Sequence, residues 1–302
     1  MDTFSAIRAF ITTVDTGSFS QAARELGTSK ATVSKQVAAL EDHLRVRLLH
    51  RTTRKLNLTD EGHIYVERAR RILDDLSDAE DAVLPLGAQP RGRLRISAPH
   101  DFGTIHLAEA LAVFLGRFPL IRMEIDFSDR LVDLVDEGFD VAIRISRMDD
   151  SSLIARRIAP IDMALCAAPG YWKKYGKPTH PRELSTHNAI MYLYLKTPGE
   201  WFFCDPTAQT NAPFGVKVGT NLTTNNGGIS CSAAVQGVGI FYGPAYIVRE
   251  ALQNGKLESA LESFYNAPLG VYAVYPSRKN LSPKVRVFID FLVEWFHYTS
   301  AL

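Results

Sequence analysis

Residues 18–44 contain the sequence SFSQAARELGTSKATVSKQVAALEDHL, in which two short helical patterns flank Gly27. The first pattern covers about 21–26 and the second about 29–44, where apolar residues recur at spacings of four, three and four and form one stripe. An amphipathic pattern over 2–15 predicts a further helix before them. Two helices separated by a glycine turn predict a helix-turn-helix.

Serines precede both helical patterns and are suited to cap them. Ser18 or Ser20 can cap the shorter helix, and Ser29 can cap the longer one. The following segment, 46–58, is strand-like at both ends and basic in its middle, as in a β-wing. These features favour a winged helix-turn-helix.

A helix of this size enters the major groove of DNA, where its exposed polar side chains contact base edges. Lys30, Ser34 and Lys35 are the candidate base readers, and the wing arginines are candidates for phosphate or minor-groove contacts. The candidate DNA-contacting residues are Ser18, Ser20, Gln21, Ser29, Lys30, Ala31, Thr32, Ser34, Lys35, Arg51 and Arg54.

Charge is distributed unevenly along a chain whose net charge is only +1. Residues 1–58 carry nine basic and five acidic side chains, and residues 59–90 carry three basic and eight acidic ones. An ordinary solvated surface explains nine basic residues alone, but their coincidence with a winged helix-turn-helix favours nucleic-acid binding.

A long helix is predicted from Thr59 to about Leu86. Apolar residues recur along it with alternating spacings of four and three, as in a coiled-coil seam. The seam residues are Tyr65, Ala69, Ile72, Leu76, Ala79, Val83 and Leu86. The alternative is an amphipathic helix that packs on its own domain. Prolines and glycines between 85 and 92 then predict a hinge.

Beyond the hinge, strand and helix patterns alternate, which predicts an α/β domain with parallel sheets and crossover helices. Strands are predicted at 94–97, 122–127, 140–145, 163–167, 239–242 and 269–275. Helices are predicted at 105–117, 130–137, 228–236, 247–253 and 283–296.

Several motifs together resemble the LysR-type transcriptional regulators over essentially the whole chain. They are FSQAAREL at 19–26, LTDEG at 58–62, GRLRISAP at 92–99, FP at 118–119, GFDVAIR at 138–144, GVGI at 237–240 and YP at 275–276. Two positions depart from the family pattern: Leu49 stands where Phe is usual, and Asn226 where Asp is common.

The resemblance implies three parts: a winged helix-turn-helix at 1–58, a dimerising linker helix and hinge at 59–90, and an effector-binding domain at 91–302. That last domain is expected to resemble periplasmic binding proteins. Its first lobe would comprise 91–161 with 268–302, and its second lobe 162–267. Family members commonly form homodimers and homotetramers, the latter as dimers of dimers.

The expected effector site lies beyond the carboxyl ends of the strands, between the two lobes. The candidate residues are Ser97, Pro99, His100, Phe102, Phe127, Ser128, Arg144, Trp201, Asn225 and Phe241. Free N–H groups at helix starts near Thr104 and Gly228 favour an anion, so a small carboxylate or aromatic acid is expected. Arg144 could instead form a structural ion pair with Asp126 or Asp140. Trp201 could equally have a loop-packing role.

Other function classes find less support. No catalytic constellation is present, so no enzyme activity, cofactor or metal is expected. A solute-binding module without DNA activity would need an export signal and no basic head, and the sequence shows the opposite. The three cysteines favour a reducing cytoplasm over a disulfide scaffold, although one of them could act as a redox sensor. The expected partners are double-stranded DNA, a small-molecule effector and a second copy of the chain, but no membrane.

Overall fold

The computed structural model describes residues 2–51, 56–81, 89–146, 154–207, 212–265, 269–276 and 281–299. The chain divides into two compact units, Met1–Ala88 and Gln89–Leu302. No helix in the described ranges is both long and apolar enough to cross a membrane.

Four helices and a two-stranded wing build the N-terminal unit. They are α1 (Thr3–Thr16), α2 (Phe19–Glu25), α3 (Lys30–Leu44), β1 (Leu49–Arg51), β2 (Leu56–Leu58) and α4 (Asp60–Asp81). Ser18, not Ser20, caps α2, and Ser29 caps α3 as predicted. Gly17 ends α1 in the left-handed conformation, with a φ of 64°, which favours glycine. The predicted continuation of α4 to Leu86 lies outside the described residues.

The core of this unit forms where α1, α2 and α3 meet. Phe10, Val33, Val37 and Leu40 are fully buried there. The start of α4 belongs to the same core, since Ala69 is fully buried and the ring of Tyr65 lies 5.8 Å from that of Phe10. The two first seam residues therefore pack within their own unit, as the alternative interpretation of this helix expected.

Two polar side chains fix the wing to the helices. The buried carboxylate of Glu41 in α3 accepts hydrogen bonds from the backbone N–H groups of Leu48 and Leu49, at 2.9 and 3.1 Å. Thr59 caps α4 by accepting the N–H of Gly62 at 2.9 Å, and its hydroxyl donates to the carbonyl oxygen of Arg47, before β1, at 2.6 Å. A Cβ at Gly62 would overlap the carbonyl oxygen of Leu48, so this position requires glycine.

The C-terminal unit contains two five-stranded sheets. In chain order its elements are β3 (Gly92–Ala98), α5 (His100–Phe102), a π-helical segment (Gly103–Leu107), α6 (Ala108–Arg117), β4 (Ile121–Phe127), α7 (Leu134–Glu137), β5 (Val141–Ser146), β6 (Ile154–Ile161), β7 (Met163–Ala167), α8 (Pro169–Tyr175), a 3₁₀ helix (Pro181–Thr186), β8 (Asn188–Tyr192), β9 (Glu200–Cys204), β10 (Pro213–Lys217), β11 (Gly219–Thr224), α9 (Gly227–Val235), β12 (Ile240–Pro244), α10 (Ala245–Gln253), β13 (Glu258–Ser259), a second 3₁₀ helix (Glu262–Phe264), β14 (Leu269–Tyr275) and α11 (Pro283–Thr299).

Both sheets are mixed, which corrects the prediction of parallel sheets. The first has the order β4-β3-β5-β14-β6, and the second β11-β8-β12-β7-β13. The first three strands of each sheet are mutually parallel, whereas the last two pair antiparallel. The chain passes from the first sheet to the second at Asp162, between β6 and β7.

Two predicted helices have different bounds. Helical structure expected over 105–117 begins at His100 and includes the π-helical segment. The helix expected over 130–137 is only Leu134–Glu137, because Asp133 accepts hydrogen bonds from the N–H groups of Val135 and Asp136 and so starts the helix four residues later. A hairpin of β9 and β10 was not predicted.

Candidate functional site

The N-terminal half of α3 presents one polar face to solvent. Lys30, Thr32 and Lys35 are exposed together with Ala31, and Ser34 is half-buried. The opposite face is fixed by Val33 and Val37, which are fully buried. Helical periodicity therefore leaves side chains of the kind that read base edges on the accessible side of this helix.

The serines at the helix starts have their hydroxyl oxygens engaged in the chain. Ser29 Oγ accepts the N–H of Thr32 at 3.1 Å and lies 2.8 Å from Thr32 Oγ1. Ser18 Oγ accepts the N–H groups of Ser20 and Gln21 at 3.3 and 3.5 Å. The side chains of Ser20 and Gln21 are exposed at the same helix start.

Only part of the wing can be described. Arg51 occupies β1 opposite Leu56 of β2, in an antiparallel ladder. Arg54 lies outside the described residues. Position 51 therefore stands near the end of the described ladder, next to the segment that joins the two strands.

In the C-terminal unit, Arg144 and Ser97 are brought together at the carboxyl ends of β5 and β3. Nη2 of Arg144 donates to Ser97 Oγ at 2.9 Å and to the carbonyl oxygen of Arg130 at 3.2 Å, and Nη1 donates to the carbonyl oxygen of Ile143 at 2.8 Å. Ser97 is fully buried. Burial lowers the pKa of Arg144, while the charge of Asp129 opposes that shift.

The alternative interpretation of Arg144 as half of a structural ion pair is not what the structure shows. Asp140 instead accepts the backbone N–H of Arg95 at 2.7 Å, and Asp126 lies 3.9 Å from Arg130. Within the described ranges, Arg144 forms hydrogen bonds only with neutral oxygen atoms. Its positive charge is therefore not neutralised by a bound carboxylate of the described chain.

A contact between the two sheets occurs at the start of α9. The backbone N–H of Gly227 donates to Oδ2 of Asp101, which lies in α5, at 2.6 Å. Asn226 caps the same helix by accepting the N–H of Ile229 at 2.8 Å. The expectation of free N–H groups here is therefore wrong for these two amides, because protein oxygens already bind them. Thr104 lies within helical structure, not at its start.

A second acidic residue, Asp129, lies next to this contact. It accepts the backbone N–H of His100 at 3.3 Å, and Tyr192 of the other sheet lies close enough to its carboxylate for each group to shift the pKa of the other. Burial raises the pKa of Asp129, and the neighbouring charge of Asp101 raises it further. Burial likewise raises the pKa of Tyr192, and Asp129 adds to that shift.

Three candidate aromatic residues lie in hydrophobic cores. Phe102 is fully buried against the rings of Tyr246 and Phe296, at centroid distances of 6.2 and 5.6 Å. Trp201, which is 4% exposed, packs against Tyr242, so the packing alternative describes its contacts. Phe241 is buried within the second sheet. Phe127 is instead 41% exposed, with its ring against Gly103.

The remaining candidates lie in the loops after the strands. Pro99 precedes α5 and is half-buried, and His100 is exposed. Ser128 is half-buried and its hydroxyl accepts the N–H of Arg130 at 3.5 Å. Asn225 is exposed before α9.

The sequence interpretation did not select Asp101, Asp129 or Tyr192. Asp129 directly follows the selected Ser128, and Asp101 lies between the selected His100 and Phe102, so the strand-end rule pointed to the correct loops. Tyr192 ends β8, a strand that the hydrophobic pattern did not predict.

The described ranges also contain possible metal ligands and three cysteine thiols. No group of three or more His, Cys, Asp and Glu side chains there is arranged to hold a metal ion. Burial raises the pKa of Cys166 to about 12, with Cys231 adding to the shift, and it also raises that of Cys231. These two thiols therefore stay protonated, which disfavours a redox role because the thiolate is the reactive form.

Comparisons with known proteins agree with this architecture. The family model described as a bacterial regulatory helix-turn-helix protein of the lysR family matches residues 4–63, and the LysR substrate binding domain matches residues 87–297. The Escherichia coli HTH-type transcriptional regulator DmlR is 37% identical over 97% of the chain and 95% of its own length. An HTH-type transcriptional regulator of Haemophilus influenzae is 35% identical over 94% of the chain and 98% of its own length.

A solved structure supports the same assignment. CrgA, a LysR-type transcriptional regulator from Neisseria meningitidis, is 33% identical, with a TM-score of 0.58 over 96% of the chain and 98% of its own. The helix-turn-helix and the two-sheet unit thus occur together in that protein.

Proposed function

Because this chain belongs to the LysR family of DNA-binding transcriptional regulators, which are not enzymes, we propose specific residues and an assembly for its action on DNA. The exposed polar face of α3 carries the proposal. Lys30, Ser34 and Lys35 read base edges in the major groove, with Thr32 and Ala31 beside them. Ser29 contacts the backbone at the helix start.

Backbone contacts come from both sides of α3. Ser18, Ser20 and Gln21 at the start of α2 bind phosphate on one side. On the other, Arg51 and Arg54 of the wing neutralise phosphates or enter the minor groove. Such contacts fix the register of the helix, whereas the base contacts supply sequence preference.

Two copies of the chain pair through α4. Tyr65 and Ala69 are committed to the core of the N-terminal unit, but Ile72, the next seam residue, is 46% exposed. Burying such a side chain stabilises association, and the spacing that continues through Leu76 and Ala79 suits a helix partner. The protein acts as a homodimer, and dimers of dimers form a homotetramer. As a DNA-bound regulator it works in the cytoplasm.

An effector binds between the two sheets of the C-terminal unit. Ser97, Ser128, Arg144 and Asn225 supply polar contacts around the Asp101–Gly227 junction, with Pro99, His100 and Phe127 at its edges. Phe102, Trp201 and Phe241 support these loops from the cores. A ligand that favours one arrangement of the sheets shifts the balance between arrangements, and hence the spacing of the paired helix-turn-helix units.

A gel-shift experiment with the DNA upstream of the chain's own gene tests this function. The intact protein is expected to retard this fragment and to protect two half-sites about one or more helical turns apart. Lys35→Ala should weaken binding of this DNA fragment. Lys173→Ala, which changes an exposed lysine of the C-terminal unit, should not. Equal loss in both variants, or no retention by the intact protein, would contradict the proposal.

A further inference from the structure

Two carboxylates meet at the junction between the sheets. Asp101 and Asp129 follow β3 and β4, and the N–H of His100, the neighbour of Asp101, binds Asp129 at 3.3 Å. Asp101 also accepts the N–H of Gly227, which begins α9 after the second sheet's β11, and Tyr192 of β8 lies close enough to Asp129 to act on its pKa. Both acids are thus part of the wall of the proposed effector cleft.

The positive charges nearby do not balance this pair. Arg130 forms an ion pair with Glu137, with 2.8 Å between Nη1 and Oε1, so Glu137 neutralises its charge. Arg144 contributes one guanidinium, held by Ser97 and two carbonyl oxygens. The described neighbours of the pair are thus Arg144, whose guanidinium interacts with the charge of Asp129, and His100, whose Nδ1 lies 3.5 Å from Asp101. A ligand with only a negative charge would add a third anion to a partly buried junction, which is unfavourable.

Two tyrosines complete the acidic side of the junction. Tyr192 lies near enough to Asp129 for that charge to raise its pKa, and the buried Tyr246 of α10 lies near enough to Asp101 and Asp129 for both charges to raise its pKa. Carboxylates together with tyrosine rings attract an ammonium group through charge-assisted hydrogen bonds and cation–π contact.

An unpartnered polar atom lies beside Tyr246. His106 is 8% exposed, its ring centroid is 4.8 Å from that of Tyr246, and its Nε2 has no hydrogen-bond partner. Burial lowers the pKa of His106 to about 4, so it adds no positive charge at neutral pH. His106 therefore adds a neutral polar atom next to Tyr246, and Arg249 is the charged side chain that acts on it.

We propose that the effector carries a positively charged amino group beside an anionic group, as an α-amino acid does. Its ammonium lies towards Asp101, Asp129 and Tyr192, and its carboxylate towards Arg144 and Ser97. This inference rests on the proposed effector cleft and changes the expected chemistry of its ligand from an acid to a zwitterion. The acidic pair accounts for this preference, because it penalises an acid that lacks the amino group.

Matched compounds test the ligand class directly. The intact protein is screened by thermal shift and calorimetric titration with L-α-amino acids, with the acids that lack the amino group, and with the amines that lack the carboxylate. At least one amino acid should bind about ten- to hundredfold more tightly than its two analogues. The class is overturned by an acid that binds as tightly as its amino acid, or by the failure of every amino acid to bind.

Substitution separates a ligand contact from a structural role. Asp129→Asn should lower the ratio of amino-acid affinity to acid affinity by about tenfold or more, because only the amino acid loses a charge contact. Asp290→Asn, a matched change at an exposed position of α11, should leave the ratio unchanged. An unchanged ratio in Asp129→Asn would contradict the assignment.

An incorrect ligand class and an incorrect proposal for DNA binding give different experimental results. If an acid without an amino group binds and alters the gel shift, the cleft and the regulatory function stand and the ligand class falls. If the protein retards no upstream fragment, the proposed action on DNA falls regardless of what binds the cleft.

Discussion

Oδ2 of Asp101 accepts a hydrogen bond from the backbone N–H of Gly227, 2.6 Å away, and this bond links the two sheets of the C-terminal unit. A Cβ at Gly227 would lie 2.7 Å from that oxygen and 2.6 Å from Cδ1 of Ile247. Both distances are too short for a carbon atom, so a Cβ there would displace the Asp101 carboxylate and the end of the Ile247 side chain.

Asp101→Ala and Gly227→Ala should therefore each destabilise the protein. The expected loss is about 1–3 kcal/mol in the free energy of unfolding, because one hydrogen bond to a charged group is removed or displaced. Urea denaturation measures it. Since both substitutions break the same contact, the double variant should lose less than the sum of the two. Strict additivity would contradict the link.

Glu41 gives a second prediction, for the N-terminal unit. Its carboxylate is 2% exposed and binds the N–H groups of Leu48 and Leu49 as well as Arg47. Glu41→Ala leaves two backbone donors without that acceptor and should cost about 2–5 kcal/mol of stability. Asp42→Ala, an exposed neighbour, is the control and should cost less than about 1 kcal/mol. Equal losses would contradict the role of Glu41.

Stability should depend on the protonation of His106. Burial lowers its pKa from 6.5 to about 4, so the folded state disfavours the charged ring. The free energy of unfolding that depends on a neutral His106 is fully present above pH 6.5. It is lost as pH falls from 6.5 towards 4, with a slope of at most about 1.4 kcal/mol per pH unit. Unfolding measured across this range should show less acid sensitivity in His106→Phe. An identical pH profile would contradict the assignment.

If two chains pair through α4, a charged side chain at the exposed seam residue Ile72 should weaken the dimer. Ile72→Glu should shift the dimer towards monomer in sedimentation experiments, because a charge replaces an apolar contact. Ser77→Glu adds the same charge away from the heptad seam and should leave the dimer intact. A dimer that survives Ile72→Glu at low concentration would contradict pairing through this face.

Local signals predicted the N-terminal unit well. Caps at Ser18 and Ser29 and the stripe of Val33, Val37 and Leu40 are encoded within a few residues of one another, and the structure confirms them. The packing of the seam residues of α4 is harder to predict, because a heptad spacing does not say whether they contact their own unit or a second helix. Tyr65 and Ala69 pack against their own unit, while Ile72 stays exposed.

The C-terminal unit depends more on distant contacts. β14 pairs antiparallel with both β5 and β6. These pairings join residues more than a hundred positions apart, and no local sequence pattern encodes them. The strand-end rule found the loops of the candidate cleft but could not show that Asp101 would bind the start of α9. Trp201 and Phe102 were selected as aromatic loop residues, and only the fold shows that they fill cores.

The salt dependence of DNA binding measures the phosphate contacts through which this chain is proposed to hold DNA. The affinity of the intact protein for its upstream fragment is measured by titration over a range of salt concentrations. If the helix-turn-helix and wing of two chains contact about 6–10 phosphates, affinity should fall by about 10³–10⁵ between roughly 50 and 200 mM salt. Affinity that does not change with salt, or an intact protein that binds no upstream DNA, would contradict DNA recognition by the helix-turn-helix and the wing.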